Sequence, residues 1–381
     1  MTSIKSIRTL TLDIPPSCIE FVPNHPDLFV VGTYFLEKKD GDEGDAAEPP
    51  SDQPQQRTGS LLLFRLDGDE LTLLHTLPLP FAIFDIHFAP SSHGTPLLLG
   101  AATSTGSLAL YRISIPSAQI TPVAVHQLFP ETSLITHFAW HPTAASTASL
   151  SLSDGSIYLC SAIAPPATPG PPSPTTPTPT CTLLHAHALE AWFTAFTPSG
   201  DRLLTGGDDS VLACLGLDAT ATGAAAPPLW QDRRTHLAGV TAVLPLATAG
   251  NEQRSLLLLT GSYDDRVRLL EAPPGGRGGR PTVLAERDVG GGVWRLQEVV
   301  GGGDGGGAGG EVTVLASCMH AGARVLRLTR KGEEGEWEFE EVARFEEHRS
   351  MNYGSAVQPG TGGRTVVSTS FYDRLLAVWR W

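Results

Sequence analysis

The residues able to do chemistry in this 381-residue chain are scattered, and few carry a spacing that names a reaction. His185-Ala186-His187 places two imidazoles at a strand end with metal-compatible spacing, yet no third ligand stands nearby in the sequence. No G-x-S-x-G elbow, H-E-x-x-H pair, P-loop or C-x-x-C pair is present, which removes the α/β-hydrolases, zincins, P-loop enzymes and paired-cysteine zinc sites. The glycines of residues 301–310 lack the βαβ unit that a dinucleotide fingerprint requires. What remains is a set of aromatic and polar residues beside turns and at the openings of short strands. It comprises Asp208, Tyr263, Met319, Tyr372, Trp192, Trp294 and Tyr353, with His320 at a turn of its own. Gathered at one mouth, such aromatics make a ligand-facing wall, since they supply area with few rotors. The plainer alternative is packing between repeated units.

A repeat must position them. Residues 260–271 read T-G-S-Y-D-D-R-V-R-L-L-E: small residues, a turn aspartate (Asp264), then alternating Val267 and Leu269. His236 and the alternating run Val240-Thr241-Ala242-Val243 precede them. A histidine, short strands and a turn aspartate describe one blade of a β-propeller, and the unit recurs. Blades are expected over residues 18–77, 84–129, 135–185, 191–230, 239–287, 292–345 and 353–379. The last lacks an outer strand, and residues 3–13 form a strand without a blade. The N-terminal strand should therefore complete blade seven and remove the exposed edges. The expectation is an all-β, single seven-bladed propeller rather than a β-sandwich, which would show no seven-fold recurrence. Residues 37–59, 164–180, 219–228, 272–280 and 301–310 are polar, Pro-, Ala- or Gly-rich and should be disordered inserts.

Within this repeat the turn aspartate ties a histidine and a hydroxyl, so His236 with Asp264, His187 with Asp209 and His348 with Asp373 read first as structural pairs. Asp154 fits the same turn in blade three without a histidine. Blade six departs, because His320 stands where the aspartate belongs. A formal charge of −14 with scattered Lys and Arg argues against a nucleic-acid binder. No apolar run reaches bilayer length. Five cysteines without a C-x-x-C pair, four of them in expected strands, suggest buried reduced thiols and a cytosolic protein. On residues alone the chain reads as an interaction platform.

Four segments together resemble one family. They are A-W-F-T-A-F (191–196) with G-G-D-D (206–209); G-S-Y-D-D-R-V-R-L (261–269) with G-G-V-W-R-L (291–296); A-S-C-M-H-A-G (316–322); and E-H-R-S-M-N-Y-G (347–354) with S-F-Y-D-R-L-L-A-V-W (370–379). This is similar to the diphthine methyl ester hydrolases, WD-repeat proteins of diphthamide biosynthesis, across blades four to seven, and to the N-terminal half in outline. The chain departs from the repeat pattern at Leu270-Glu271, where a Trp-Asp pair is common, and at Tyr353-Gly354-Ser355-Ala356, which no Trp follows. The resemblance implies a monomeric cytoplasmic hydrolase without cofactor or metal. It would remove a methyl ester from the over-methylated histidine of translation elongation factor two, ahead of amidation. The alternative is a non-catalytic scaffold presenting that factor to the amidating enzyme.

Ester hydrolysis needs an activated water or nucleophile and donors for the oxyanion. The expected roles are His320 as general base, oriented by Asp208 or Asp264, with Tyr353 or Tyr372 donating to the oxyanion. Cys318 is the alternative nucleophile. Trp192, Tyr263, Trp294 and Tyr353 would face the substrate's trimethylammonium group.

Overall fold

The computed structural model describes residues 3–37, 57–90, 97–163, 178–217, 227–246, 255–273, 279–299, 311–331 and 335–381, and they contain no helix. Seven antiparallel sheets follow one another along the chain. Their innermost strands are Pro16–Phe21, Ile83–Phe88, Ile135–Trp140, Ala191–Phe196, Val240–Pro245, Arg295–Glu298 and Gly354–Val357. Neighbouring sheets pack face to face through Val, Leu, Ile and Phe side chains that alternate out of each pleat. One such layer joins Val30, Leu63, Ile86, Leu99 and Tyr111, and another Leu269, Val293, Val314 and Leu326.

The ring closes as expected. Ser6–Thr11 pairs antiparallel with Leu375–Arg380 and is the outer strand of blade seven. Ser6 donates from its N–H at 3.1 Å to Glu347, and Lys5 lies 3.2 Å from the same carboxylate. Five of the six closing-strand residues are exposed, so its contribution is the ladder and the covered edge rather than core area. Deleting residues 1–11 should lower stability by on the order of 2 kcal/mol, roughly 5 °C, and leave an edge that self-associates. A melting scan with light scattering checks this; an unchanged, monodisperse melt would contradict it.

Two features differ from the sequence reading. Phe35–Leu36 forms a short additional strand on Arg57–Asp67, raising a lip on blade one. Cys160 and Cys181, directly opposite on neighbouring strands of blade three, are joined in a disulfide rather than held as thiols, whereas Cys18, Cys214 and Cys318 are free and buried. The bond closes a 21-residue span, worth about 3 kcal/mol of chain entropy. Of the expected inserts, residues 38–56, 164–177, 218–226, 274–278 and 301–310 lie outside the described residues.

Candidate functional site

All seven innermost strands share one register. The second position of the first five is Ser17, Phe84, Thr136, Trp192 and Thr241 in turn, and the equivalent residue in blades six and seven, Trp294 and Tyr353, stands immediately before the strand. In the first five blades the strand pairing slips there, so a bulge re-aims that residue. Where it carries a hydroxyl it stitches to the next blade: Ser17 to the Ile83 carbonyl at 2.7 Å, Thr136 to Ala191 at 2.5 Å, and Thr241 to Val293. Where it is aromatic it turns into the ring opening instead.

Those aromatics line a cavity of about 520 Å³. Trp192 and Phe84 come from the bulge position, Trp294 and Tyr353 from the equivalent residue just before the strands of blades six and seven, Tyr263, Phe371 and Tyr372 from turns, and Tyr34, Phe35 and Leu36 from the lip. Ring centroids run continuously: Trp192–Trp294 5.6 Å, Tyr263–Trp294 6.1 Å, Trp294–Tyr353 5.1 Å and Tyr353–Phe371 5.5 Å. Phe371–Tyr34 at 6.2 Å and Tyr34–Phe84 at 5.4 Å carry the wall round to blade two. Tyr372 stacks edge-on against Phe371 but is 70% exposed, at the outer rim. Asp208 accepts from the Trp192 indole N–H at 3.1 Å, so a carboxylate stands against the cage. Burial pushes the Tyr263 phenol up, and Tyr353 and Asp208 add to this while Arg295 opposes it. Burial likewise raises Tyr353, so both phenols stay protonated and able to donate. A concave wall of aromatic faces with an adjacent carboxylate is what binds a quaternary ammonium.

One register position deeper stand Cys18, Asp85, His137, Phe193, Ala242, Arg295 and Gly354. Here the channel is plugged. Arg295 of blade six reaches Asp85 of blade two at 3.3 Å, and His87 and His137 approach the same carboxylate oxygen at 3.2 and 3.3 Å. Glu20 takes the other nitrogen of His87 at 2.9 Å. Below the plug a second cavity of about 400 Å³ is lined by Glu20, His87, His137, Phe193 and Trp140. Burial would push the Asp85 carboxyl up, but His87, Arg295 and His137 reverse it and hold the group ionised. Burial also opposes charge on His87, yet Asp85 and Glu20 raise its pKa to about 10, an imidazolium. His137 is held neutral, by burial first, with Arg295 and His87 adding to this against Asp85. Asp85, His87 and His137 have the spacing of a metal triad. However, the Arg295 guanidinium shares their oxygen, and His137 Nδ1 accepts from the Thr194 N–H at 3.4 Å, which leaves the proton on the nitrogen facing Asp85. The cluster is a charge-neutralised plug.

The structure gathers Trp192, Tyr263, Trp294, Tyr353 and Tyr372 as expected and leaves the proposed base outside. His320 is exposed, makes no hydrogen bond among the described residues and does not line the cavity. In its turn Met319 packs onto Gly292 and Ala321 onto Gly291, while His320 points away from both. Asp264 orients nothing catalytic: its oxygens accept from Leu237 N–H at 2.9 Å and from Arg268 at 3.0 and 2.8 Å. Cys318 is fully buried, its thiol pushed up to about 12 by burial, and is inert as a nucleophile. Phe84, Tyr34, Phe371 and the Asp85–Arg295 plug were absent from the expected set. Phe84 had a signal, since it occupies in I-F-D-I-H-F the place Trp192 holds in A-W-F-T-A-F.

The three blade histidines are buried and hydrogen-bonded to blade hydroxyls, but only His187 makes the expected tie to its turn aspartate; His236 and His348 do not bond Asp264 and Asp373. His187 bonds Asp209 at 2.9 Å and Thr205 at 3.0 Å. His236 bonds Thr260 at 2.9 Å and His348 bonds Ser368 at 2.8 Å, but the second nitrogen of each has no partner. Burial lowers both to about 4. A histidine whose folded pKa lies below its unfolded value of 6.5 contributes stability present above pH 6.5 and lost as pH falls toward 4. Each should cost up to ~3 kcal/mol over that window. Urea midpoints between pH 7 and 4.5 read this directly, and His348→Gln should flatten the acid limb. A flat profile in the parent chain would refute it.

No family model matches the chain. It is 28% identical to a Saccharomyces cerevisiae protein named diphthine methyltransferase, over 98% of this chain and 97% of that protein. A human protein of the same name is 30% identical across 39% of this chain and 28% of its own length. A chain in the crystal structure of a mitotic checkpoint complex superposes with a TM-score of 0.64 at 14% identity, covering 100% of this chain and 92% of that one, which speaks for the fold alone. The chain is thus a seven-bladed propeller with an aromatic mouth, similar along nearly its whole length to a protein named diphthine methyltransferase.

Proposed function

We propose that the chain is a cytoplasmic diphthine methyl ester hydrolase: it takes the over-methylated histidine of translation elongation factor two into the aromatic cavity and removes the ester methyl. The observation that carries this is the cage of Trp192, Tyr263, Trp294 and Tyr353, which offers π faces to a trimethylammonium group. Asp208, fixed by the Trp192 indole, balances that charge and accepts a proton from the attacking water. Water oxygen bonds to the ester carbon, the bond to the methoxy group breaks, Asp208 returns its proton to the methoxide so that methanol leaves, and the remaining acid proton passes to solvent. The carboxylate remains. The protonated phenols of Tyr263 and Tyr353 donate to the oxyanion.

The relatives' name implies transfer of a methyl group, and an aromatic cage also suits a sulfonium donor. Transfer would require one cavity of about 520 Å³ to hold donor and acceptor together, whereas hydrolysis needs the ester and a water. Purified chain incubated with esterified elongation factor two and no methyl donor should release methanol stoichiometrically. A stable complex with no methanol would instead identify a presenting scaffold.

A further inference from the structure

We propose that Arg295 forms a cationic floor to the aromatic cavity, held in place by Asp85, and that the site preferentially takes α-trimethylammonio carboxylates, zwitterions of betaine type, over their methyl esters. The functional reading above supplies the reaction in which this matters; the binding preference stands on the channel geometry. Arg295 and Asp85 come from opposite sides of the ring, 210 residues apart, and meet at 3.3 Å across the channel just below the cage. The guanidinium lies 4.9 Å from the Trp294 ring centroid and 5.5 Å from that of Phe193, so its plane is clamped by aromatic faces. One N–H goes to the Trp294 carbonyl at 2.9 Å and one to Asp85; its other N–H groups have no protein acceptor among the described residues. The side chain is 18% exposed.

The consequence is a polarity along the ring axis. Aromatic faces and Asp208 at the mouth suit a cation, and donor N–H groups at the floor suit an oxygen that is negative or becoming so. The methyl ester carries only the cation, and its carbonyl is a weak acceptor. The tetrahedral intermediate and the carboxylate product carry both charges, so Arg295 gains interaction as the reaction proceeds. Asp85, His137, His87 and Glu20 act through Arg295 as positioning residues. They fix its approach and offset its charge, so that the floor does not repel the incoming trimethylammonium group.

The test is quenching of tryptophan fluorescence by three probes: N,N,N-trimethylalanine, its methyl ester and tetramethylammonium. The parent chain should bind the zwitterion about tenfold more tightly than the other two, the worth of one charge-assisted hydrogen bond. In Arg295→Gln the three affinities should converge, Arg295→Lys should retain part of the preference, and Asp85→Asn should weaken it. Equal affinities in the parent chain, or a preference surviving in Arg295→Gln, would overturn the proposal. Binding of tetramethylammonium without a carboxylate preference sinks the floor and spares the cage. If no probe quenches, cage and floor fall together. Should Arg295→Gln fail to fold, the parent preference and Arg295→Lys decide.

Discussion

Alanine in place of Trp294 is expected to reduce kcat/KM on esterified elongation factor two by roughly a hundredfold, with the fold retained. Trp294 is the one ring in direct contact with Trp192, Tyr263, Tyr353 and Arg295, so its loss opens the cage on three sides and unclamps the floor. A desolvated cation–π contact contributes about 2 kcal/mol, and lost aromatic packing adds to it; together some 2–3 kcal/mol is a factor of roughly 30 to 150. Trp294→Phe should recover most of the activity. His320→Ala should stay within about threefold of the parent, since that imidazole is exposed and outside the cavity. The inverse pattern, with His320→Ala inactive and Trp294→Ala active, would return the base to the blade-six turn and remove the cage.

The second large effect is on stability. Trp379 is fully buried in the last strand, stacks on Phe345 at 5.2 Å with planes 2° apart, and donates from its indole N–H to Ser368 Oγ at 3.0 Å. That oxygen also meets His348 at 2.8 Å, so the indole closes a chain of polar groups inside the blade that seals the ring. Trp379→Ala leaves a cavity between blades six and seven and should cost about 3–5 kcal/mol. Trp379→Phe keeps the stack while giving up the hydrogen bond and should cost about half as much. Urea unfolding midpoints separate the two variants. A loss below about 1 kcal/mol for the alanine variant would mean that the closing blade packs elsewhere.

The propeller was legible because its units repeat: a strand left over at residues 3–13 and one missing from blade seven define each other. The cage was legible for a similar reason, since Trp192, Trp294 and Tyr353 open equivalent strands. Phe84 at the same register went unremarked because bulges that turn a side chain inward are not visible in alternation. The floor was hidden more deeply. Asp85 and Arg295 are far apart in sequence, in strands without matching motifs, and only closure of the ring brings them together. His320 misled for the opposite reason: it breaks a strong pattern at a turn, but its own side chain is exposed and outside the cavity. The Cys160–Cys181 pairing follows from the register of two strands flanking a long insert, which spacing alone does not fix.

The most direct test of the account is the intact mass of esterified elongation factor two after incubation with the purified chain, with and without a sulfonium methyl donor. The account predicts loss of one methylene's mass in both cases, and a roughly hundredfold slower loss with Trp294→Ala under the same conditions. A gain of one methylene's mass, seen only when the donor is present, would contradict it and make the cavity a methyl-transfer site.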